Sequence, residues 1–224
     1  MGYYLAGFDV IGVDTKPQRE YPFAFIRRDA LSCLKDDRLL AEFDAIHASP
    51  PCNSETMLRF MHSSRTYVDL LTPTLQLLSD LIDIPWVVEN VESSRKMRGS
   101  ITLCGTHFNL GADGRVLRRH RQFLASFPLP RPGSCWCEGQ RVGGVYGSLT
   151  NGGALNGFKF NPDQARKAMG IDWMSERGLT LAIPPDYTRW VGEHVLRKLR
   201  QPTYARDYLH ERYSSGRIER FARL

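Results

Sequence analysis

Apolar positions along the chain follow two periods in turn. Short runs rich in branched and aromatic residues read as strands: Asp9-Val-Ile-Gly-Val-Asp14, Phe43-Asp-Ala-Ile-His-Ala48, which Pro50 and Pro51 stop, and Pro85-Trp-Val-Val-Glu-Asn-Val91. Between the second and third runs, Val68, Leu71, Leu75, Leu78 and Ile82 recur at steps of three and four, which predicts an amphipathic helix over 67–82. Helical spacing returns after Asn161-Pro162-Asp163 and again from Pro185 through Leu199, where proline suits the first helical turn. This β-α-β rhythm predicts an α/β protein with a doubly wound, mostly parallel sheet covered on both faces. In such sheets ligands collect at the carboxyl ends of the strands. Three loops fall there: after Asp14, over Ser49-Pro-Pro-Cys52, and around Glu89-Asn90.

With 224 residues the chain has room for one core, and 42% hydrophobic with 24% charged residues excludes a disordered or coiled-coil chain. No apolar run approaches the ~18 residues of a membrane span, and the start MGYYLAGFDVIGVD has neither a basic beginning nor a cleavage site, so an intracellular protein is expected. The five cysteines are odd in number and scattered, which argues for reduced thiols. Net charge is +6 and uneven: Arg115 to Arg141 holds six basic residues against one acid, and Asp186 to the end holds nine against five. Clustered arginines point to a polyanion, most often nucleic acid.

Residues 126–140 read as loop, with Pro128, Pro130, Pro132, Gly133 and the pair Cys135-Trp-Cys137, and continue into Gly143-Gly-Val-Tyr-Gly147 and Asn151-Gly-Gly153. Cys135 and Cys137 could join His107 or His120 in a zinc site. Their spacing departs from Cys-x-x-Cys and no second pair exists, so the reading is two ordinary loop cysteines and no metal. The tail from Thr203 to Leu224 reads as a basic amphipathic helix or as disordered.

Ser49-Pro-Pro-Cys52 places a cysteine on a stiff turn beyond a strand. Prolines fix the backbone, so the thiol is pointed, which suits a nucleophile; a small buried strand-end residue is the plain alternative. Glu89 ends the neighbouring strand, where a carboxyl can act as an acid if a dry pocket keeps its proton. Arg118-Arg-His-Arg-Gln-Phe123 offers guanidinium groups to an anion or a base edge.

In order, Gly7-Phe-Asp-Val-Ile-Gly-Val-Asp14, Ser49-Pro-Pro-Cys52, Glu89-Asn-Val91 and Arg119-His-Arg121 resemble successive motifs of the DNA (cytosine-5)-methyltransferases, in the short form found in bacteriophages. The likeness runs on through Gln164-Ala-Arg166 and Ala182-Ile-Pro-Pro185. It implies a Rossmann-like sheet of the S-adenosylmethionine-dependent methyltransferase type, transfer of a methyl group from that cofactor to carbon 5 of cytosine, and double-stranded DNA as the partner. It implies Cys52 as the nucleophile on carbon 6, Glu89 at ring nitrogen 3, and Arg121 on the ring oxygen with Arg119 supporting it. For the cofactor it implies Asp14 at the ribose hydroxyls and Asp29 near the adenine, with Pro51 beside them. The target cytosine must be flipped out of the duplex. Cytoplasmic action in a bacterial or phage-infected cell, marking DNA against restriction, follows at the same level, with no protein partner and no membrane.

Family members begin with a strand and a loop of the form Phe-x-Gly-x-Gly-Gly, whereas this sequence starts at the helix that follows it. The expectation is a sheet lacking its first, central strand, through a late start codon or a truncated gene. Asn53 and Thr56 stand where the family carries Gln and Ser, and Thr180-Leu181 where it often carries Gly-Asn. The implied division is a catalytic core over 1–123, a short target-recognition segment over 124–160, helices completing the core over 161–200 and a basic tail over 201–224. Three other readings stand beside this one: an inactive DNA-binding relative, an RNA cytosine-5 methyltransferase, and a thiol hydrolase pairing Cys52 with His47 or His62.

Overall fold

The computed structural model describes residues 1–51, 68–149 and 157–201, and the backbone of 220–223. Three predicted strands form close to their expected bounds: β1 (Asp9–Asp14), β3 (Ala45–Ala48) and β4 (Trp86–Val91). β2 (Ala24–Arg27) lies parallel to β1, and the short helices α1 (Gly2–Ala6), α2 (Ala30–Cys33) and α3 (Asp37–Leu40) fill the connections. The helix expected over 67–82 is shorter, α4 (Leu71–Ser79). Leu71, Thr74 and Leu78 form its buried stripe, while Val68 and Ile82 lie beyond its ends at 72% and 87% exposure, so the apolar period outran the helix. β5 (Ile101–Leu103), β6 (Gly111–Ala112), β7 (Arg115–Leu117), β8 (Arg121–Ala125) and β9 (Val142–Gly143) follow. Then come α5 (Pro162–Met169), α6 (Glu176–Leu181), α7 (Pro185–Leu199) and β10 (Arg220–Arg223). α5 opens on a reciprocal cap in which Asn161 accepts from the Gln164 amide and Gln164 accepts from that of Asn161.

The α/β class stands, but the expected single, doubly wound, mostly parallel sheet of Rossmann type does not. Up to residue 201 the strands fall into three small sheets. β1 and β2 form a parallel pair; β3, β4, β8 and β5 form a mixed sheet in which only β3–β4 is parallel; β6, β7 and β9 form a second mixed sheet. The departure begins after β4, where β8 returns antiparallel and places Arg121 of the arginine run in the sheet beside it. β10 alone joins the first two sheets, parallel to both β1 and β3, giving the order β2-β1-β10-β3-β4-β8-β5. The gap expected between β1 and β3 is thus filled from the tail, whose residues 220–223 are strand and not helix.

Alternation along the strands sorts the core. Ala45 and Val87 pack with Tyr3, Phe8, Phe123, Tyr187, Val191 and Val195, so α1 and α7 cover one face. Ile46, Ala48 and Val88 pack with Leu71, Leu78, Leu34 and Leu40 beneath α4, α2 and α3 on the other. A third cluster, with Leu117, Val145, Phe160, Met169 and Leu179, lies under α5 and α6 beside the three-stranded sheet. α1 and α7 touch at Gly2, where an added Cβ would collide with the Pro185 carbonyl and the Thr188 hydroxyl. Gly2→Val should therefore cost about 1–3 kcal/mol through overpacking, read as a lowered midpoint in urea; an unchanged midpoint would show that the two helices part freely.

Candidate active site and a cysteine-histidine cluster

The end of β3 is anchored from inside. His47 is fully buried, its Nδ1 2.6 Å from the Tyr3 hydroxyl and its Nε2 2.8 Å from Ser49 Oγ. Both ring nitrogens are therefore engaged in holding the strand end to α1 and to the first residue of the Ser-Pro-Pro turn. That is structural work, and it counts against His47 as the activating base of a thiol hydrolase. One strand over, Asn90 donates from Nδ2 to the Pro50 carbonyl at 3.1 Å and accepts from the Val91 amide at 2.9 Å. The Glu-Asn-Val strand end is thereby fastened to the turn that leads into residue 52.

Glu89, 6% exposed, lies next to that fastening. It stands opposite Phe123 across the antiparallel β4–β8 pair, and Arg121 is two residues earlier in β8 on the same face. The diagonal places Arg121 Nε 3.2 Å from Glu89 Oε1, with Nη1 donating to the His120 carbonyl at 2.7 Å. A buried carboxylate with a guanidinium beside it is an ion pair able to meet both the acceptor and donor edges of a planar heterocycle.

Arg119 is placed differently. It is 5% exposed, and its Nη1 donates to the Val145 carbonyl at 2.6 Å while Nη2 donates to those of Thr180 (3.0 Å) and Ala182 (2.6 Å). The Tyr187 hydroxyl donates to the backbone carbonyl of Arg119 at 2.8 Å. Arg119 thus clamps the approach to β8 onto the glycine-rich segment and the end of α6, a supporting position behind Arg121.

Asp14, Asp29 and Pro51 line one cavity of about 180 Å³, with Thr15, Ala48, Ser49 and Thr74 among its other walls. Asp14 ends β1 and accepts from the Lys16 amide (2.9 Å) and from Gln18 Nε2 (2.8 Å). Asp29 caps α2, accepting from the Ser32 amide at 2.8 Å and the Ser32 hydroxyl at 2.9 Å. A carboxylate keeps further lone-pair directions after two such bonds, so both residues fit a ligand rich in hydroxyl and amino donors. The volume is below the roughly 300–1,000 Å³ of whole-ligand sites, so the described walls have room for only a portion of such a ligand. Cys52, the expected nucleophile, lies outside the described residues, as do Asn53, Thr56 and His62.

A second group of reactive side chains gathers at the opposite ends of β5 and β8. Cys104 follows β5 and His120 precedes β8, and the Leu103–Arg121 pairing makes them neighbours. Cys135 and Cys137 reach them from the loop after β8. The four ligand atoms all lie within 4.8 Å of one another: His120 Nε2 is 3.4 Å from Cys135 Sγ and 3.5 Å from Cys137 Sγ, and the two sulfurs are 3.3 Å apart. His120 Nδ1 meets Glu92 Oε2 at 2.9 Å. His107 is used elsewhere, accepting on Nδ1 from the Cys104 amide at 3.2 Å.

The charges interlock. Hydrogen bonding to the Cys104 sulfur pushes His120 up to about 10 against its burial, with help from Cys135 and Glu92. Burial raises the Cys104 thiol, but hydrogen bonds from His120 and Thr106 outweigh it and bring Cys104 down to about 6. Burial and the neighbouring sulfurs push Cys137 up to about 12. Cys104 is the member that sequence reading missed. It stands as a lone small residue after an apolar strand, and only the β5–β8 pairing brings it beside His120.

Among the described residues no helix is long and apolar enough to cross a membrane. No family model matches the sequence, and none of the curated proteins searched matches it.

Proposed function

We propose that this protein is a DNA cytosine-5 methyltransferase that works through a covalent bond between Cys52 and the base. The observation that carries the proposal is the junction of two strand ends. Asn90 ties the Glu89-Asn-Val91 end to the Pro50 carbonyl of the turn preceding Cys52, with the buried Glu89–Arg121 pair beside it.

In this reading the Cys52 thiolate adds to carbon 6 of a flipped-out cytosine, and the displaced electron pair makes carbon 5 nucleophilic. Arg121 leaves its ion pair to donate to the ring oxygen; Glu89, released from that guanidinium, takes up a proton from water and gives it to ring nitrogen 3, which neutralises the negative charge that addition creates; Arg119 holds the start of β8 rigid behind it. S-adenosylmethionine, when bound, would supply the methyl group that carbon 5 takes up, its sulfonium sulfur keeping the bonding pair. The carbon 5 proton then passes to a water-borne base, and the returning electron pair expels Cys52 as thiolate. Asp14, Asp29 and Pro51 are the residues that would hold the cofactor, since its hydroxyl and amino donors match the two carboxylates at the cavity. The basic stretch from Arg115 to Arg141 suits the flanking phosphates.

The test is intact mass after incubation with S-adenosylmethionine and duplex DNA carrying 5-fluorocytosine, whose fluorine cannot leave as the proton does. A stable adduct that maps to Cys52 is expected, with duplex DNA a better methyl acceptor than transfer RNA. An adduct at another residue, or none with any nucleic acid under conditions where the protein is folded, would overturn the reading.

A further inference from the structure

We propose that Cys104, His120, Cys135 and Cys137 bind one zinc ion, which pins the proline-rich loop after β8 to the end of the sheet. The inference rests on geometry alone and stands whatever reaction the protein carries out.

The donor set is right for zinc. Three sulfurs and one imidazole nitrogen form the Cys3His group of closed structural sites, and soft thiolates select zinc over harder divalent ions. The spacing is right as well. Tetrahedral coordination at about 2.3 Å to sulfur and 2.0–2.1 Å to nitrogen separates the ligand atoms by roughly 3.5–3.8 Å; the nitrogen–sulfur separations of 3.4 and 3.5 Å lie close to that edge, the two loop sulfurs at 3.3 Å are closer than it, and every pair lies inside 4.8 Å.

The surroundings add an independent observation. A ligating histidine characteristically gives its second ring nitrogen to a carboxylate, which fixes both tautomer and ring orientation. His120 does so: Glu92 Oε2 lies 2.9 Å from Nδ1, leaving Nε2 toward the sulfurs. Thr106 supports the loop from the other side, its hydroxyl 3.4 Å from both Cys135 Sγ and the Trp136 amide nitrogen. Cys104 and Cys137 are buried while Cys135 is exposed, which gives the ion a way in.

The sequence positions explain what the ion does. Cys104 and His120 are carried by neighbouring strands, whereas residues 126–141 contain three prolines and no regular element. Two ligands on a rigid frame and two on a loop make a clasp: the metal closes the loop onto the sheet beside Arg121 and fixes His120 between the two arginines.

Metal analysis of the reduced, full-length protein should return one zinc per chain. Cys104→Ser and Cys137→Ser should each lose it, while Cys33→Ala and Cys52→Ser should keep it. Because a ligand variant can fail by misfolding, the native protein provides the second measurement. After chelation, cobalt(II) should bind at one equivalent, with the visible bands of a tetrahedral ion and the near-ultraviolet charge transfer of thiolate ligation. Glu92→Gln should weaken zinc about 10- to 100-fold in chelator competition. Metal-free protein that takes up no cobalt, a disulfide between any two of the three cysteines in freshly prepared protein, or zinc retained by Cys104→Ser would overturn the assignment.

Discussion

Glu89→Gln should, on the proposed methyltransferase reading, lower the turnover of methyl transfer about 100- to 1,000-fold while leaving the protein folded and bound to DNA. Glutamine keeps the shape of the buried side chain and can still accept from Arg121, but it cannot shuttle a proton to the ring nitrogen or carry the compensating charge. Loss of the ion pair at 3.2 Å costs stability too, about 1.5–3 kcal/mol for a hydrogen bond that involves a charge. The two effects separate readily, because a loss of that size leaves nearly all molecules folded at 25 °C and cannot by itself account for a hundredfold fall in rate. Methyl incorporation into duplex DNA beside a thermal melt reads both. Turnover equal to that of the unaltered protein would remove Glu89 from the chemistry and reduce its pair with Arg121 to a fold contact.

Arg119→Ala divides the arginine pair in the other direction. Truncation strips the carbonyls of Val145, Thr180 and Ala182 of their shared donor inside a site only 5% exposed. Each orphaned buried carbonyl costs about 1–3 kcal/mol before relaxation, and breaking a buried charged network costs about 3–5 kcal/mol. The expected loss is of that order, a fall in melting temperature of roughly 10 °C or more for a chain of this size. Arg121→Ala, at a partly exposed position with fewer backbone acceptors, should melt within a few degrees of the parent and lose base capture instead. Arg119→Lys is not a conservative control, since a single ammonium cannot reproduce a fork that reaches three carbonyls. If Arg119→Ala melts like the parent, the clamp between β8, the glycine-rich segment and α6 is not holding them together.

What local pattern can announce, this sequence announces. β1, β3 and β4 are short, branched and bounded by turn residues; α7 fills Pro185–Leu199 because a proline opens it and an apolar stripe of Tyr187, Val191, Val195 and Leu199 follows. That the Glu89-Asn90 strand end and the Pro50 turn lie near one another was within reach for the same reason, as both lie at strand ends. What failed depended on pairing across the chain. β8 begins in an arginine run whose charges look like wet surface, yet Arg119 is buried because backbone carbonyls, invisible to any residue count, surround it. β10 is four residues in a basic tail, too short and too polar to announce a place between two other strands. The cysteine cluster was legible only in part, as Cys135 and Cys137 with His107 or His120, because its members come from three places in the sequence and the ligand that completes it, Cys104, resembles core.

The position of β10 also sets the order of assembly. Asp9 pairs with Arg220 and Phe221 with Ala45, so two neighbours in one sheet are joined through a partner some two hundred residues away from the first of them. Contacts of such sequence separation are slow to form, because the entropy of closing the intervening chain must be met before any pairing rewards it. During synthesis β1 and β3 leave the ribosome early, each presenting a row of unsatisfied amides and carbonyls toward an empty slot. Until residues 220–223 have been made, the facing edges of β1 and β3 have no strand between them, so closure of this sheet waits on the arrival of four residues.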